Sequence, residues 1–336
     1  MDITIIHCPN CQGNDIHRHT VYETKNNGER FVYKCSQCGE YFSETKNTSI
    51  EGLRTPVSVI TDVLNARTEG TGLNACSRIF NVSKNTVIRW ERRFASLMPT
   101  LMLYALMHNF LQMTIEGDET YTKVDTNKPA SESEGWTIIL MERASRFIWE
   151  LRCGEKDRHL FERAIEIICQ LVENTQDMSL ITDGERRYGQ ILFEVCNELV
   201  RNGKPGRPRK TLRKGVKARV RNKGSQAHKK GPKRPKYQAP CPEHPETVQN
   251  IENKDIHANH VESLNSSLRR RNSAYRRRTN TYAKSVGGLQ RTLDMYWIIH
   301  NFVRSHFTTR EVPAVALGII DKGLSLAQIL MVQKAA

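Results

Sequence analysis

Three acidic side chains in different local settings have the types and spacing for metal-assisted chemistry. Asp118 ends the apolar run LQMTIEGDET, Asp183 ends MSLITDG, and Glu262 opens the helical stretch NHVESLNSSLRRR. Two carboxylates at strand ends and a third on a later helix can hold a pair of Mg2+ or Mn2+ ions. Paired ions about 4 Å apart clamp the attacking and leaving oxygens of a phosphodiester. Glu116 and Glu119 compete with Asp118 for the first place. Strand alternation puts Glu116 and Asp118 on one face. Asp118 is favoured because it stands at the end of the run, where open sheets build their sites. On the third segment Glu262, Asn265 and Arg269 share one helix face, and Val261, Leu264 and Leu268 share the adjacent apolar one. An acid and a guanidinium pointing the same way suit a metal and a phosphate. Taken singly, each of these carboxylates is more commonly solvated surface than ligand.

Cysteines supply a second candidate centre. Cys8, Cys11, Cys35 and Cys38 read C-x2-C, a spacer of 23 residues, and C-x2-C. Two such knuckles offer a tetrahedral thiolate set for a structural Zn2+, with no position left open for catalysis. His7, His17 and His19 are nearby alternatives, although a four-cysteine site needs none of them. The other five cysteines are scattered, four of them among apolar or helical residues where a thiol packs as a small hydrophobe. With no basic, apolar leader at the start and no stretch of about twenty apolar residues, a reducing, cytoplasmic setting away from membranes is expected.

The elements that must position these residues follow from periodicity. Residues 1–46 read as short strands and turns around the knuckles. Residues 53–113 read as consecutive helices, ending in the Met-rich run LMPTLMLYALMHNFLQM. Within them, LNACSRIFNVSKNTVIRWERRF has a first helix around Ala75 and Ile79, a turn near Asn81–Val82, and Ser83 as N-cap of a second helix. Val87, Ile88 and Phe94 form its buried face, which leaves Lys84, Asn85, Thr86, Arg89 and Arg92 to meet a DNA groove. A plain αα-hairpin has the same pattern. From TIEGD to MSLITD the order is strand, strand, strand, helix, strand, followed by a helix, a mixed α/β layer.

The formal charge of +15 sits in one place. Residues 201–238 hold sixteen Lys and Arg and no acid, leaving 35 basic against 36 acidic residues elsewhere. Such a block is a footprint for a polyanion, or else a solvated tail. Residues 201–245 therefore read as a basic insertion. Within it, KPGRPRK resembles an AT-hook, with Arg207 and Arg209 entering a narrow minor groove. Nonspecific phosphate contact is the competing account. VKARVRNKG alternates apolar and basic residues, as a strand with one cationic face would.

The C-terminal stretch HANHVESLNSSLRRRNSAYRRRTNTYAKS, with HNFVRSH and VPAVALGI, resembles transposases of the insertion-sequence-one family. ITDGERRY and EGDETY are similar to the blocks around that family's two aspartates, and the knuckles and helix pair match its layout. The resemblance implies an α/β ribonuclease-H-like catalytic domain of the Asp-Asp-Glu class, preceded by a small zinc ribbon and an all-α helix-turn-helix domain. It implies divisions at 1–46, 50–99, 100–310 and a tail at 311–336, and a triad of Asp118, Asp183 and Glu262 binding two Mg2+ or Mn2+. It further implies double-stranded DNA as partner, both as terminal inverted repeats and as target, no membrane partner, a homodimer or larger assembly, and a place on the nucleoid. The long basic stretch between Asp183 and Glu262 departs from the compact family pattern.

Overall fold

The computed structural model describes residues 3–126, 128–201, 203, 206–221, 237–248, 251–276 and 280–335. In chain order the first elements are β1 (Ile16–Thr24), β2 (Gly28–Cys35), β3 (Tyr41–Ser43), α1 (Val57–Thr68), α2 (Leu73–Ile79), α3 (Lys84–Ala95) and α4 (Met98–Leu106). Next come β4 (Phe110–Tyr121), β5 (Trp136–Glu142), β6 (Ile148–Gly154), α5 (Arg158–Glu173), β7 (Thr175–Thr182), α6 (Arg186–Val195), β8 (Asn197–Val200), β9 (Arg209–Leu212), β10 (Val216–Arg221) and β11 (Tyr237–Gln238). Four helices close the chain: α7 (Asn259–Arg271), α8 (Val286–Phe302), α9 (Pro313–Ala316) and α10 (Leu326–Leu330). They form two compact units. One holds Met1–Tyr104, Arg270–Ser273 and Arg291–Ala336; the other holds Ala105–Arg269 and Ala274–Gln290.

In the first unit β1, β2 and β3 make a three-stranded antiparallel sheet. The expected helix pair is present. Asn81 adopts φ 51 between α2 and α3, a left-handed conformation that Asn tolerates better than most residues. The Ser83 hydroxyl accepts from the Thr86 amide at 3.1 Å and so caps α3. Val87, Trp90, Glu91 and Phe94 form the buried face of α3, whereas Ile88 is only half-buried. In α2 the buried residue is Cys76, and Ile79 is 66% exposed. Glu91 is fully buried because two guanidiniums reach it, Arg67 at 2.5 Å and Arg291 at 2.9 Å. The sequence division kept residues to 310 with the catalytic domain and made 311–336 a tail. Instead Arg291–Ala336 cluster in this unit, and Ile329, Leu330 and Val332 are buried. Gln333 binds both the amide and the carbonyl of His7, at 2.7 and 3.1 Å.

In the second unit β4, β5 and β6 form an antiparallel meander, and α5 then returns the chain so that β7 pairs parallel to β4. β10 adds parallel to β7, and β11 adds two residues antiparallel to β10. The mixed sheet has the order β11-β10-β7-β4-β5-β6. α5 begins where Asp157 accepts from the Leu160 amide at 2.8 Å. Its stripe of Leu160, Phe161, Ala164, Ile165, Ile168 and Leu171 is buried, the period-3.6 pattern of a helix laid on a sheet.

Two expectations are corrected here. Residues 53–113 are not helical throughout: α4 stops at Leu106 and Phe110–Met113 belong to β4. Phe110 there donates its amide to the Asn174 carbonyl at 2.8 Å, at the start of the β4/β7 pairing. The stretch 201–245 is not an insertion in its entirety, because β10 lies inside the sheet between β7 and β11. Two of the cationic side chains of β10 do not face solvent. Lys217 is 1% exposed and pairs with Asp177 at 2.6 Å, and buried Arg219 pairs with Glu243. Within the proposed AT-hook, Lys204 and Pro205 lie outside the described residues, as do residues 222–224 of VKARVRNKG. Arg207 is exposed; Arg209, also exposed, pairs with Val200 in the β8–β9 ladder rather than lying in a free extended segment.

Replacing Ser83 by Ala removes the α3 cap and is expected to lower stability by about 1 kcal/mol. A urea midpoint for the Ser83→Ala protein equal to that of the parent would show that the cap contributes nothing.

Candidate metal centres

The two cysteine knuckles are built alike. In each, the first cysteine donates its amide five residues ahead, Cys8 to Gly13 and Cys35 to Glu40, both at 2.9 Å. In each, the residue after the second cysteine turns left-handed and donates back to the first cysteine's carbonyl: Gln12 with φ 59 at 2.9 Å, Gly39 with φ 75 at 3.0 Å. This repeated turn brings both sulfurs of each knuckle toward those of the other. The four sulfurs lie within 4.8 Å of one another, with Cys8 to Cys38 at 3.5 Å and Cys11 to Cys35 at 3.6 Å. Those separations approach the edge of a tetrahedron with metal–sulfur bonds of about 2.3 Å, roughly 3.8 Å. Cys8 and Cys35 are buried with Phe42, while Cys11 and Cys38 face outward. The site can hold zinc. The Glu40 amide helps lower the Cys38 thiol to about 7, so part of it is already thiolate near neutrality.

The acidic centre forms where parallel pairing stops. β4 and β7 run in register until Gly117 meets Thr182. β4 continues to Tyr121 against β5 alone. Beside Asp118 and Glu119 the sheet is therefore open, and Asp183, the first residue beyond β7, enters that space. Oxygens of Asp118, Glu119 and Asp183 lie within 4.8 Å of one another. Gly117 leaves room for the arrangement: a Cβ there would stand 3.1 Å from Thr182 and 3.2 Å from Leu140. The strand ends thus bring Asp118 and Asp183 together from 65 positions apart. Glu119, a competitor in the sequence, joins the cluster. Glu262 does not; it is exposed on α7, one turn before Asn265.

α7 is set against β4 by a ladder of side chains. Glu116 meets His260 and Val261, Asp118 accepts from Asn265 Nδ2 at 2.7 Å, and Arg269 reaches the Thr120 hydroxyl at 3.5 Å. Glu116, 0% exposed, is fully engaged. Its oxygens accept from the amides of His260 and Val261 at 3.0 and 3.1 Å, and from Arg143 Nε at 2.7 Å, and lie 2.7 Å from His260 Nδ1. Arg143 also donates to the carbonyls of Asp255 and His257. Glu116 thus acts as an external cap on the first turn of α7, where amides lack helical partners.

Within the acidic cluster one glutamate oxygen and the neighbouring Asn265 oxygen differ from those of Glu116. Glu119 Oε1 and Asn265 Oδ1 are buried without a hydrogen bond. Beneath them the buried Tyr188 hydroxyl also lacks a partner, and burial holds it protonated well above its usual range. Burial pushes the Glu119 carboxyl up to about 7; Lys156, 3.6 Å away, opposes the rise, and Asp183 and Asp118 add to it. An oxygen-only donor set from three carboxylates fits a hard divalent cation such as Mg2+ or Mn2+.

Of the residues expected to meet DNA, Lys84, Asn85, Arg89 and Arg92 are exposed along α3, while Thr86 is half-buried against the Ser83 cap. Arg207 and Arg209 are exposed, and Asn265 and Arg269 contact Asp118 and Thr120 of β4. Among the described residues, no helix is long and apolar enough to cross a membrane. A scan against models of known protein families finds no match for this chain. A search of curated proteins finds no match either.

Two outcomes follow. Protein purified without chelator is expected to carry one zinc per chain by elemental analysis and to lose it in Cys35→Ser; full retention would exclude the knuckles as its site. At the acidic centre the raised Glu119 value means that the folded chain keeps a proton the unfolded chain has shed. Stability from this group therefore falls as pH rises from the ordinary carboxyl range toward about 7. A divalent cation must displace that proton. Mn2+ affinity measured by calorimetry is expected to rise with pH and level off above about 7, with proton release only on the acid side; a pH-independent affinity would refute this.

Proposed function

We propose that this chain is a DNA transposase of the Asp-Asp-Glu class, related to the insertion-sequence-one family, which cuts the 3′ ends of a mobile element and joins them to target DNA. The observation that carries the proposal is the meeting of Asp118 and Asp183 at the carboxyl edge of β4 and β7, with α7 fastened across the same edge. A meander followed by strand–helix units that add parallel strands supports a ribonuclease-H-like catalytic fold. The paired cysteine knuckles and the exposed cationic face of α3 support a zinc ribbon and a helix-turn-helix that hold the terminal inverted repeats. Two DNA ends brought together call for at least two copies of the chain.

When bound, two divalent ions at this edge supply Lewis acidity to the attacking and leaving oxygens of the phosphodiester. Asn265 orients the Asp118 carboxylate through its 2.7 Å hydrogen bond. Arg269, two turns beyond Glu262, offers a guanidinium to the phosphate. Lys156 offsets the negative charge at Glu119 and Glu185. Glu262 is the family's third acid by motif position, and Glu119 stands inside the cluster in this structure. Single substitutions can therefore tell the two apart.

The test is incubation of the purified protein with DNA carrying the inverted repeats that flank its own coding region, in Mg2+ or Mn2+. Nicks at the 3′ ends and strand-transfer products are expected. Asp183→Ala and Glu262→Gln are expected to slow nicking about a hundredfold or more, roughly 3 kcal/mol of transition-state stabilisation. Binding without nicking would leave a DNA-binding regulator, and nicking without joined product a nuclease. Full activity in Glu262→Gln with loss in Glu119→Gln would move the third ligand to Glu119.

A further inference from the structure

A cavity of about 450 Å3 opens beside the acidic centre and shares Glu119 with it. Its walls include Tyr121, Trp136 and Tyr282, with Arg269 and Arg276 among the lining residues. The aromatic residues are half-buried rather than packed away. The contrast with the other three tryptophans is sharp: Trp90, Trp149 and Trp297 are 2%, 0% and 0% exposed. Trp136 is held in place rather than loose. Its Nε1 donates to the Ala130 carbonyl at 2.6 Å, Tyr121 lies 5.4 Å away between ring centroids, and Lys156 sits 4.2 Å over the Trp136 ring. That same Lys156 pairs with Glu119, which ties the aromatic wall to the carboxylates. On the opposite side Tyr282 is anchored by its neighbour Ala283, which bridges to Val124 and accepts from the Asp125 amide at 2.8 Å.

Aromatic faces with guanidiniums at the rim form the usual platform for one base and its phosphate. A base stacked inside a duplex cannot present its face to such a wall; a single-stranded or extruded one can. The volume lies in the range of a small-ligand site of about 300–1,000 Å3, the scale of one nucleotide. We propose that this pocket receives one unpaired nucleotide of the strand adjoining the scissile phosphate. Its base lies against Tyr121, Trp136 and Tyr282, and its phosphate on Arg269 and Arg276. The inference rests on the acidic centre acting on DNA and identifies the form of the DNA it takes: locally unpaired at the cut.

Trp136 supplies its own probe, because the other tryptophans are buried away from ligand. The full-length protein is titrated without metal with a five-nucleotide single strand of thymidylates and with a duplex of the same length, following tryptophan emission. Saturable quenching by the single strand is expected, little by the duplex, and none in Trp136→Phe. Tyr282→Ala is expected to weaken the single-strand affinity about 5- to 150-fold, the span of ~1–3 kcal/mol per stacked base. Equal quenching by both DNAs, or unchanged affinity in Tyr282→Ala, overturns the pocket. Mn2+-dependent nicking of element ends is measured on the same preparations. Nicking that survives the loss of quenching leaves the cutting activity standing alone, and quenching in a protein that never nicks leaves a single-strand site without the enzyme.

Discussion

The buried carboxylate of Glu116 is the constraint on which the rest of the second unit depends. An unpaired carboxylate in an apolar interior costs several kcal/mol, so a strand carrying one cannot fold until donors arrive. The donors come from the first turn of α7 and from Arg143. Once the helix start is pinned, its direction follows from two repeats. A helix advances about 6.0 Å over four residues, and a strand about 6.7 Å over two. Val261, Asn265 and Arg269 therefore step beside Glu116, Asp118 and Thr120 almost in register. One hydrogen-bonded acid fixes where the next two pairs of residues can meet.

The open edge beyond Gly117 and Thr182 does the complementary work. Had β7 run two residues further, its backbone would have occupied the space that Asp183 now enters. Because it stops, carboxylates from both faces of β4 reach the same place. Asp118 comes from the α7 side, and Glu119 from the side of Gly117 and Tyr188. Three acids then share a volume with Lys156 at salt-bridge distance of Glu119, and Glu119 Oε1 and Asn265 Oδ1 are buried there without a hydrogen bond.

The periodic signals survived folding where burial wrote them. The order of three strands, a helix, a strand and a helix, the Ser83 cap and the knuckle spacing all appear as the sequence indicates. The misread segments have different causes, buried charge in one and an unbroken apolar run in the other. Lys217 and Arg219 made β10 resemble part of a solvated insertion, although Asp177 and Glu243 neutralise them inside the sheet. His108 and Asn109 mark the true end of α4, but the apolar residues around them continue into β4 and blur the change of period. Alternation correctly paired Glu116 with Asp118 on one face. It could not reveal that one is capped by a helix and the other is not, because the capping residues lie 144 positions away in sequence. Nor could it reveal Glu119 as a cluster member, since that depends on where a neighbouring strand ends.

Four acids within reach of one strand end thus divide by the company they keep. Glu116 has every oxygen answered by a donor, and a cation there would have to displace two amides and a guanidinium. Glu119 Oε1 has Lys156 at 3.6 Å but no hydrogen bond, and Asn265 turns its amide nitrogen to Asp118 while its own oxygen has no hydrogen bond. Leaving buried acceptors open is unfavourable by about 1–3 kcal/mol each in the absence of a ligand. A fold that saturates one glutamate so thoroughly has donors to spare at this edge. That difference over three residues of β4 separates the acid that holds the helix from a cluster whose carboxylates could hold a cation.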